Sequence, residues 1–217
     1  MFFKAVIFDL DGTLLDTLSD LGDSMNCVLE RHGFSQHNLE SYKYMIGDGV
    51  EFLVKRALPE SINDPEEVKE FIDEYRTEYE KNWKNKTRPY DGIVELIGSL
   101  HSMGLKLAVL SNKPHDPTEM CVREFLPFDK FDIVLGHRAG KNPKPDPAGA
   151  FEIAENLKIS PDQILYLGDT GVDMRTAVAA GMYPVGVLWG FRTETELLEN
   201  GAKDLLDKPE DLLQVIR

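Results

Sequence analysis

The chain has few cysteines and, for its length, few basic residues. Two of its 217 residues are cysteine, Cys27 and Cys121. Two cysteines cannot build a disulfide framework, so we expect free thiols in a reducing cytosol. Lysine and arginine number 24 against 38 aspartates and glutamates, which gives a formal net charge of −14 at pH 7. We therefore expect neither nucleic acid nor an anionic membrane as a partner, because both bind to basic surfaces.

Long apolar runs are also missing. Near the start of the chain, Phe2-Phe3 and Val6-Ile7-Phe8 are apolar, but Lys4 and Asp9 interrupt them. We therefore expect no signal peptide and no membrane span, and a cytoplasmic location. The hydrophobic content of 42% is ordinary for a globular protein. The length suits one large domain, or a core with a small second domain.

One short apolar stretch runs into two aspartates. Residues 5–8 show no polar alternation, which predicts a strand buried on both faces, as in a parallel sheet. Asp9 and Asp11 follow, and both carboxylates can point out of the carboxyl edge of the sheet, where open α/β sheets bind ligands. Gly12 and Thr13 then turn the chain. Mg²⁺ would relieve the repulsion between the carboxylates. Taken alone, the motif also fits a solvated turn.

The rest of the chain divides into two regions. Residues 16–84 show only helical spacing, whereas from residue 92 onward helices alternate with apolar strands, which predicts a doubly wound parallel sheet. We therefore expect a Rossmann-like α/β core of residues 1–15 and 85–217, and an all-helical domain of residues 16–84 inserted after the first strand. The predicted helices of the insert are 14–34, 39–44, 50–58 and 65–83, and the later strands are 105–110, 132–135, 164–167 and 184–188.

Three further polar groups accompany the predicted strands. Ser111 and Asn112 follow the second strand, where a hydroxyl and an amide can donate hydrogen bonds to phosphate oxygens. Lys144 lies in a loop that prolines stiffen, just before a helix. Asp169 follows the strand 164–167, and Asp173 lies one turn further on. Asp173 could cap the helix that begins there or could help to bind a metal.

Three other polar residues near these motifs are less favoured as functional residues. Long polar side chains are common on surface loops, so we expect Lys113 and His115 to be solvated loop residues. Lys141, in the same loop as Lys144, remains a candidate but is less favoured than Lys144.

Four segments together resemble the motifs of the haloacid dehalogenase superfamily, in its phosphatase branch. They occur in that family's order, and each alone would be weak evidence. The segments are Asp9-Leu10-Asp11-Gly12-Thr13-Leu14-Leu15-Asp16-Thr17, Ser111-Asn112, Lys144-Pro145-Asp146-Pro147 and Gly168-Asp169-Thr170-Gly171-Val172-Asp173.

This resemblance implies a Mg²⁺-dependent phosphomonoester hydrolase. Asp9 would be the nucleophile that forms an aspartyl phosphate, and Asp11 the general acid and base. The resemblance implies that Asp9, Asp169 and Asp11, the last through its backbone carbonyl, bind Mg²⁺, with Asp173 as a further direct or indirect ligand. The phosphate would be bound by Ser111, Asn112 and Lys144.

The helical insert resembles the cap that closes over the active site in phosphoglycolate phosphatases. Gly47-Asp48-Gly49 would then be a loop that reads the substrate, although a flexible connection between helices fits equally well. Arg56 could meet a substrate carboxylate, or lie solvated on its helix. The implied partner is a small phosphorylated metabolite, foremost phosphoglycolate, and we expect a monomer or weak homodimer.

Two related activities remain open, a pyrophosphatase and a β-phosphoglucomutase. A mutase would have to hold a sugar bisphosphate and hydrolyse its aspartyl phosphate slowly. A phospho-Asp receiver switch, a different class of protein, also uses aspartates, a Ser or Thr and a lysine. Its lysine comes late in the chain, whereas here Lys144 precedes the second pair of aspartates and a helical insert interrupts the chain.

Overall fold

The computed structural model describes residues 2–216, which form two compact units. One unit comprises residues 2–15 and 89–216, and the other comprises Asp16–Arg88. Residues 85–88, which the sequence analysis assigns to the core, therefore lie in the helical unit. Among residues 2–216, none of the helices combines the length and the apolar character that crossing a bilayer requires.

Six strands of the first unit form one parallel sheet, which confirms the predicted α/β class. In chain order the strands of the protein are β1 Ala5–Phe8, β2 Leu15–Asp16, β3 Arg88–Pro89, β4 Lys106–Pro114, β5 Ile133–His137, β6 Ile164–Gly168, β7 Tyr183–Val187 and β8 Asp204–Leu206. The sheet order is β5-β4-β1-β6-β7-β8, and β2 pairs with β3 in a separate two-stranded sheet. At the centre, Phe8 pairs with Val109 on one side and with Leu167 on the other.

The four predicted helices of the insert are present, and their ends differ by a few residues from the prediction. Those of the helical unit are α1 Leu18–Arg31, α2 Leu39–Met45, α3 Val50–Ala57 and α4 Pro65–Asn82. Those of the α/β unit are α5 Ile93–Ser102, α6 His115–Phe125, α7 Ala148–Leu157, α8 Gly171–Ala179, α9 Glu194–Glu199 and α10 Leu212–Val215. The sequence analysis predicts neither α9 nor β8, because each is too short to show a period.

Strand β1 is buried on both faces, as its unbroken apolar run predicts. Ala5 and Ile7 belong to one core cluster with Ile153 of α7 and Ala177 of α8. The alternate residues of β1 point to the opposite face and are equally buried. Close packing on both sides fixes the strand, and therefore fixes the position of the residues that follow it.

One buried carboxylate joins the first helix of the helical unit to the last residues of that unit. Asp20 on α1 accepts hydrogen bonds from the backbone N–H of Lys86 and from both the N–H and the hydroxyl of Thr87, at 2.8–3.0 Å. The last residues of the unit are thereby held against its first helix. Neither Cys27 of α1 nor Cys121 of α6 forms a disulfide bond.

Candidate active site

The candidate active site lies where three neighbouring strands end. Asp9 follows β1 directly, Asp169 follows β6 directly, and Ser111 lies in the last part of β4. Because β4, β1 and β6 are adjacent and parallel, their carboxyl ends meet at one edge of the sheet. In open α/β sheets this edge is where ligands bind.

Three buried aspartates converge at this edge. Asp9, Asp169 and Asp173 each offer one carboxylate oxygen, and these oxygens lie within 4.8 Å of one another. Burial, followed by the nearby Asp173 carboxylate, raises the pKa of Asp9 well above its usual value. The same two causes raise the pKa of Asp169 to about 7. A cation would relieve both the repulsion and the cost of burial, and a set of hard oxygen donors suits Mg²⁺, so the residues present fit this ion.

The side chain of Asp169 is closely packed and hydrogen-bonded by its neighbours. Its Oδ1 accepts a hydrogen bond from the Thr13 hydroxyl at 3.0 Å, and its Oδ2 accepts one from the Phe191 N–H at 2.9 Å. Gly12 and Gly190 leave space for it, because a Cβ atom built on either would lie 2.2–2.3 Å from an Asp169 atom. Gly12 also has a φ of +90°, which disfavours other residues there. The loop after β1 is therefore shaped around this carboxylate.

Lys144 connects two of the three aspartates. Its Nζ lies 2.8 Å from Oδ1 of Asp9 and 2.7 Å from Oδ1 of Asp173, and all three side chains are buried. Burial alone would lower the pKa of Lys144, but the Asp173 and Asp9 carboxylates together raise it well above its usual value. The two carboxylates therefore favour the charged form of the lysine.

Asn112 holds the backbone of Lys144. Its Oδ1 accepts a hydrogen bond from the Lys144 N–H at 2.8 Å, and its Nδ2 donates one to the Lys144 carbonyl at 3.1 Å. The sequence analysis assigns the amide of Asn112 to phosphate oxygens. In the structure its two polar atoms also hold the loop that carries Lys144. These bonds do not test the assignment to phosphate, which remains a prediction.

Asp173 is both a helix cap and a partner of Lys144. Its Oδ2 accepts hydrogen bonds from the N–H and the hydroxyl of Thr170, which precedes α8. The Thr170 hydroxyl in turn accepts from the Asp173 N–H, which completes a capping box. Capping uses Oδ2, whereas Oδ1 contacts Lys144, so the cap leaves the predicted metal role of Asp173 open.

Lys113 is buried, so the prediction of a solvated loop residue is wrong. Its Nζ lies 3.1 Å from Oδ1 and 3.3 Å from Oδ2 of Asp11. The reason is that β4 continues to Pro114, beyond its predicted end at residue 110. The sequence gives no signal of this, because Ser111 and Asn112, two residue types that are common in turns, separate Lys113 from the apolar run.

Ser111 and His115 also lie near the end of β4, and the structure bears differently on the prediction for each. The Ser111 hydroxyl accepts a hydrogen bond from the Lys113 N–H at 3.2 Å. This bond does not use its O–H hydrogen, so the predicted donation to phosphate remains a prediction. His115 is not a solvated loop residue, because it begins α6, is half-buried and accepts a hydrogen bond from the Gly136 N–H through Nδ1.

In the helical unit, the loop Gly47-Asp48-Gly49 is tied to α3. Gly47 and Gly49 have φ values of +122° and +100°, which glycine tolerates best. Arg56 forms an ion pair with Asp48 at 2.6 Å and donates a hydrogen bond to the Met45 carbonyl at 3.1 Å. Arg56 is therefore neither a purely solvated side chain nor a group without a partner, and it holds the loop.

The chain belongs to the haloacid dehalogenase-like hydrolases, since the model of that family matches residues 6–187. Among individual proteins it is similar to the phosphoglycolate phosphatase of Nitrosospira multiformis, at 35% identity over 90% of this chain and 88% of the relative. It is also similar to the N-acetylmuramic acid 6-phosphate phosphatase of Pseudomonas aeruginosa, at 29% identity over 100% of this chain and 96% of the relative. The crystal structure of a predicted phosphoglycolate phosphatase from Haemophilus somnus 129pt superposes with a TM-score of 0.93, at 28% identity, and covers 100% of this chain and 99% of that one.

Proposed function

We propose that this hydrolase is a Mg²⁺-dependent phosphatase that acts on phosphoglycolate through an aspartyl phosphate. The observation that carries the proposal is the grouping of Asp9 with Lys144, Asp169 and Asp173 at the carboxyl edge of the sheet. Relatives named phosphoglycolate phosphatase, at 28–35% identity over most of the chain, support the choice of substrate.

Asp9 is the proposed nucleophile. Its carboxylate attacks phosphorus in line, the bond to the leaving oxygen breaks, and an aspartyl phosphate forms. Lys144 is placed beside the attacking group and remains charged, so it can neutralise the phosphoryl oxygens as negative charge shifts. Ser111 and Asn112 donate hydrogen bonds to the same oxygens, and Asn112 also fixes the backbone of Lys144.

Four groups would hold the metal. They are the carboxylates of Asp9 and Asp169, the backbone carbonyl of Asp11 and, directly or beside the ion, the carboxylate of Asp173. When bound, Mg²⁺ supplies positive charge that screens the carboxylates from the phosphoryl group and orients that group.

Asp11 is the proposed general acid and base. It gives a proton to the leaving oxygen as the aspartyl phosphate forms, and later takes a proton from the water that attacks phosphorus. Replacing Asp11 by Asn should therefore reduce the rate by a factor on the order of 10²–10⁴, because both proton transfers lose their carrier.

The helical unit is proposed to be a cap, and Gly47-Asp48-Gly49 its substrate-reading loop. The support is the family resemblance together with the constrained geometry of the loop, which Arg56 holds in place. N-acetylmuramic acid 6-phosphate is a second candidate substrate, because a relative of that name covers the whole of this chain. We further propose a cytoplasmic enzyme that is a monomer or weak homodimer without nucleic-acid or membrane partners.

The test is the initial rate of phosphate release with and without Mg²⁺. The substrates are 2-phosphoglycolate, N-acetylmuramic acid 6-phosphate, pyrophosphate, β-glucose 1-phosphate and an aryl phosphate. A Mg²⁺-dependent preference for phosphoglycolate supports the proposal in full. Preference for the amino-sugar phosphate or for pyrophosphate keeps the chemistry and overturns the substrate.

Two other outcomes of this assay would point away from the proposal. Conversion of β-glucose 1-phosphate to its 6-phosphate, without net phosphate release, would point to the mutase. No release from any substrate by folded protein in Mg²⁺ would overturn the phosphatase proposal.

A further inference from the structure

The end of β4 places a second buried lysine at the active-site edge. The side chain of Lys113 is 5% exposed and that of its partner, Asp11, is 13% exposed. Lys113 contacts both carboxylate oxygens of Asp11, at 3.1 and 3.3 Å. A contact to both oxygens restrains the rotation of the carboxylate as well as its position.

An irregularity in β4 aims Lys113 at Asp11. Leu110 pairs with Leu135 and Pro114 pairs with His137, so three residues of β4 lie opposite the single residue Gly136. Such a bulge changes the direction in which the side chains of a strand point, and bulges occur often beside active sites.

The backbone of Lys113 is itself anchored. The Thr118 hydroxyl donates hydrogen bonds to the carbonyls of Lys113, at 3.1 Å, and of Pro114, at 2.9 Å. A Cβ atom on Gly136 would lie 2.7 Å from the Lys113 carbonyl oxygen, so this approach requires glycine. The bulge is therefore tightly packed, and this packing fixes the position of the Lys113 backbone.

The two buried lysines have different partners. Lys144 contacts Asp9 and Asp173, whereas Lys113 contacts Asp11. We propose that Lys113 is a positioning residue that holds the Asp11 carboxylate for proton transfer to and from the reacting oxygens. This inference rests on the proposed function, in which Asp11 protonates the leaving oxygen as its bond to phosphorus breaks and later accepts a proton from water. Lys113 keeps its own proton in both steps.

The leaving group provides the test. An alkoxide such as that of glycolate needs a proton as it leaves, whereas a nitrophenolate leaves well without one. Lys113→Met should therefore lower kcat/KM for 2-phosphoglycolate by a factor on the order of 10–100, the usual cost of a misplaced catalytic group, and should lower it much less for p-nitrophenyl phosphate. Because kcat/KM reports the first phosphoryl transfer, the later hydrolysis of the aspartyl phosphate does not obscure the comparison.

Two variants serve as controls. Lys106→Met removes a lysine of the same strand that forms an ion pair with Asp132 at 2.6 Å at the other end of β4, and it should leave both rates unchanged. Lys113→Arg keeps the charge and should restore part of the loss for the alkyl phosphate, because a guanidinium can also contact both carboxylate oxygens.

Each result decides the question. An equal loss on both substrates with a lower melting temperature would show that Lys113 is structural. A rise in KM for phosphoglycolate with kcat unchanged would show that Lys113 binds the substrate directly. Both results overturn the inference while leaving the phosphatase proposal intact. Failure of the wild-type protein to hydrolyse either substrate would instead overturn the proposed function.

Discussion

Lys144 and Asp9, far apart in the sequence, form a buried ion pair with 2.8 Å between Nζ and Oδ1. Lys144 also contacts Asp173 at 2.7 Å, so one cation serves two carboxylates. Asn112 fixes the lysine through its backbone. The protein's own contacts thus fix the position of these charges, which is what electrostatic catalysis requires.

Removing the positive charge of Lys144 should destabilise the metal-free protein. Lys144→Met leaves Asp9 and Asp173 buried without their shared partner, a change that typically costs about 3–5 kcal/mol. The measurement is urea unfolding in EDTA. Lys141→Met, an exposed lysine of the same loop, should change the free energy of unfolding by less than about 0.5 kcal/mol. Equal stability of the two variants would contradict the importance of the buried pair.

A second stability prediction concerns the helical unit. Asp20→Ala should cost on the order of 3 kcal/mol, because the N–H groups of Lys86 and Thr87 lose their acceptor. Asp23→Ala, one turn further along α1, removes only a half-exposed ion pair with the Lys86 ammonium and should cost less than about 1 kcal/mol. Thermal unfolding of both variants tests this difference, and a larger effect at Asp23 would refute the role given to Asp20.

The raised pKa of Asp169 should make the proposed metal binding depend on pH. Its pKa is about 7 in the folded protein against an ordinary value of 3.8, so the folded state binds the proton more tightly. The stability that this proton contributes is complete below the unfolded pKa and is lost as the pH rises through about 7. Mg²⁺ must displace the proton at low pH, so the rise in melting temperature on adding Mg²⁺ should be larger at about pH 8 than at about pH 6.

The control for this prediction is Asp169→Asn. The variant has no carboxylate to titrate at this position, so its response to Mg²⁺ should be small and should vary less with pH. A wild-type response that is the same at both pH values would contradict the assignment of Asp169 as a metal ligand.

The sequence is informative wherever a local pattern determines the structure. The apolar run before Asp9 predicts a doubly buried strand, and Asp173 is predicted at a helix start, where it completes a capping box with Thr170. Strand β8 could not be predicted in this way. It is three residues long and exists because Leu206 pairs with Val187, a contact between distant segments.

In the candidate site, too, local patterns predict some features, whereas others depend on contacts between distant segments. The motif residues around Asp9, Lys144 and Asp169 can be found from their order in the chain. Two other contacts cannot be found in this way. The contact of Lys113 with Asp11 depends on the register of β4 against its neighbour, and the hydrogen bonds of Asn112 to Lys144 depend on the path of a distant loop. Local polarity alone assigns Lys113 to solvent, whereas the bulge places it in the protein interior.

The central claim is that Asp9 carries the phosphoryl group, and trapping that intermediate tests it most directly. Protein quenched during turnover of 2-phosphoglycolate with Mg²⁺ is reduced with borohydride, which converts an aspartyl phosphate to homoserine, and the peptide that contains Asp9 and Asp11 is sequenced by mass spectrometry. The account predicts homoserine at position 9 in the wild-type protein and none in folded Asp9→Asn, which should also lose nearly all turnover. Homoserine at position 11 instead, or an Asp9→Asn variant that retains full activity, would contradict it.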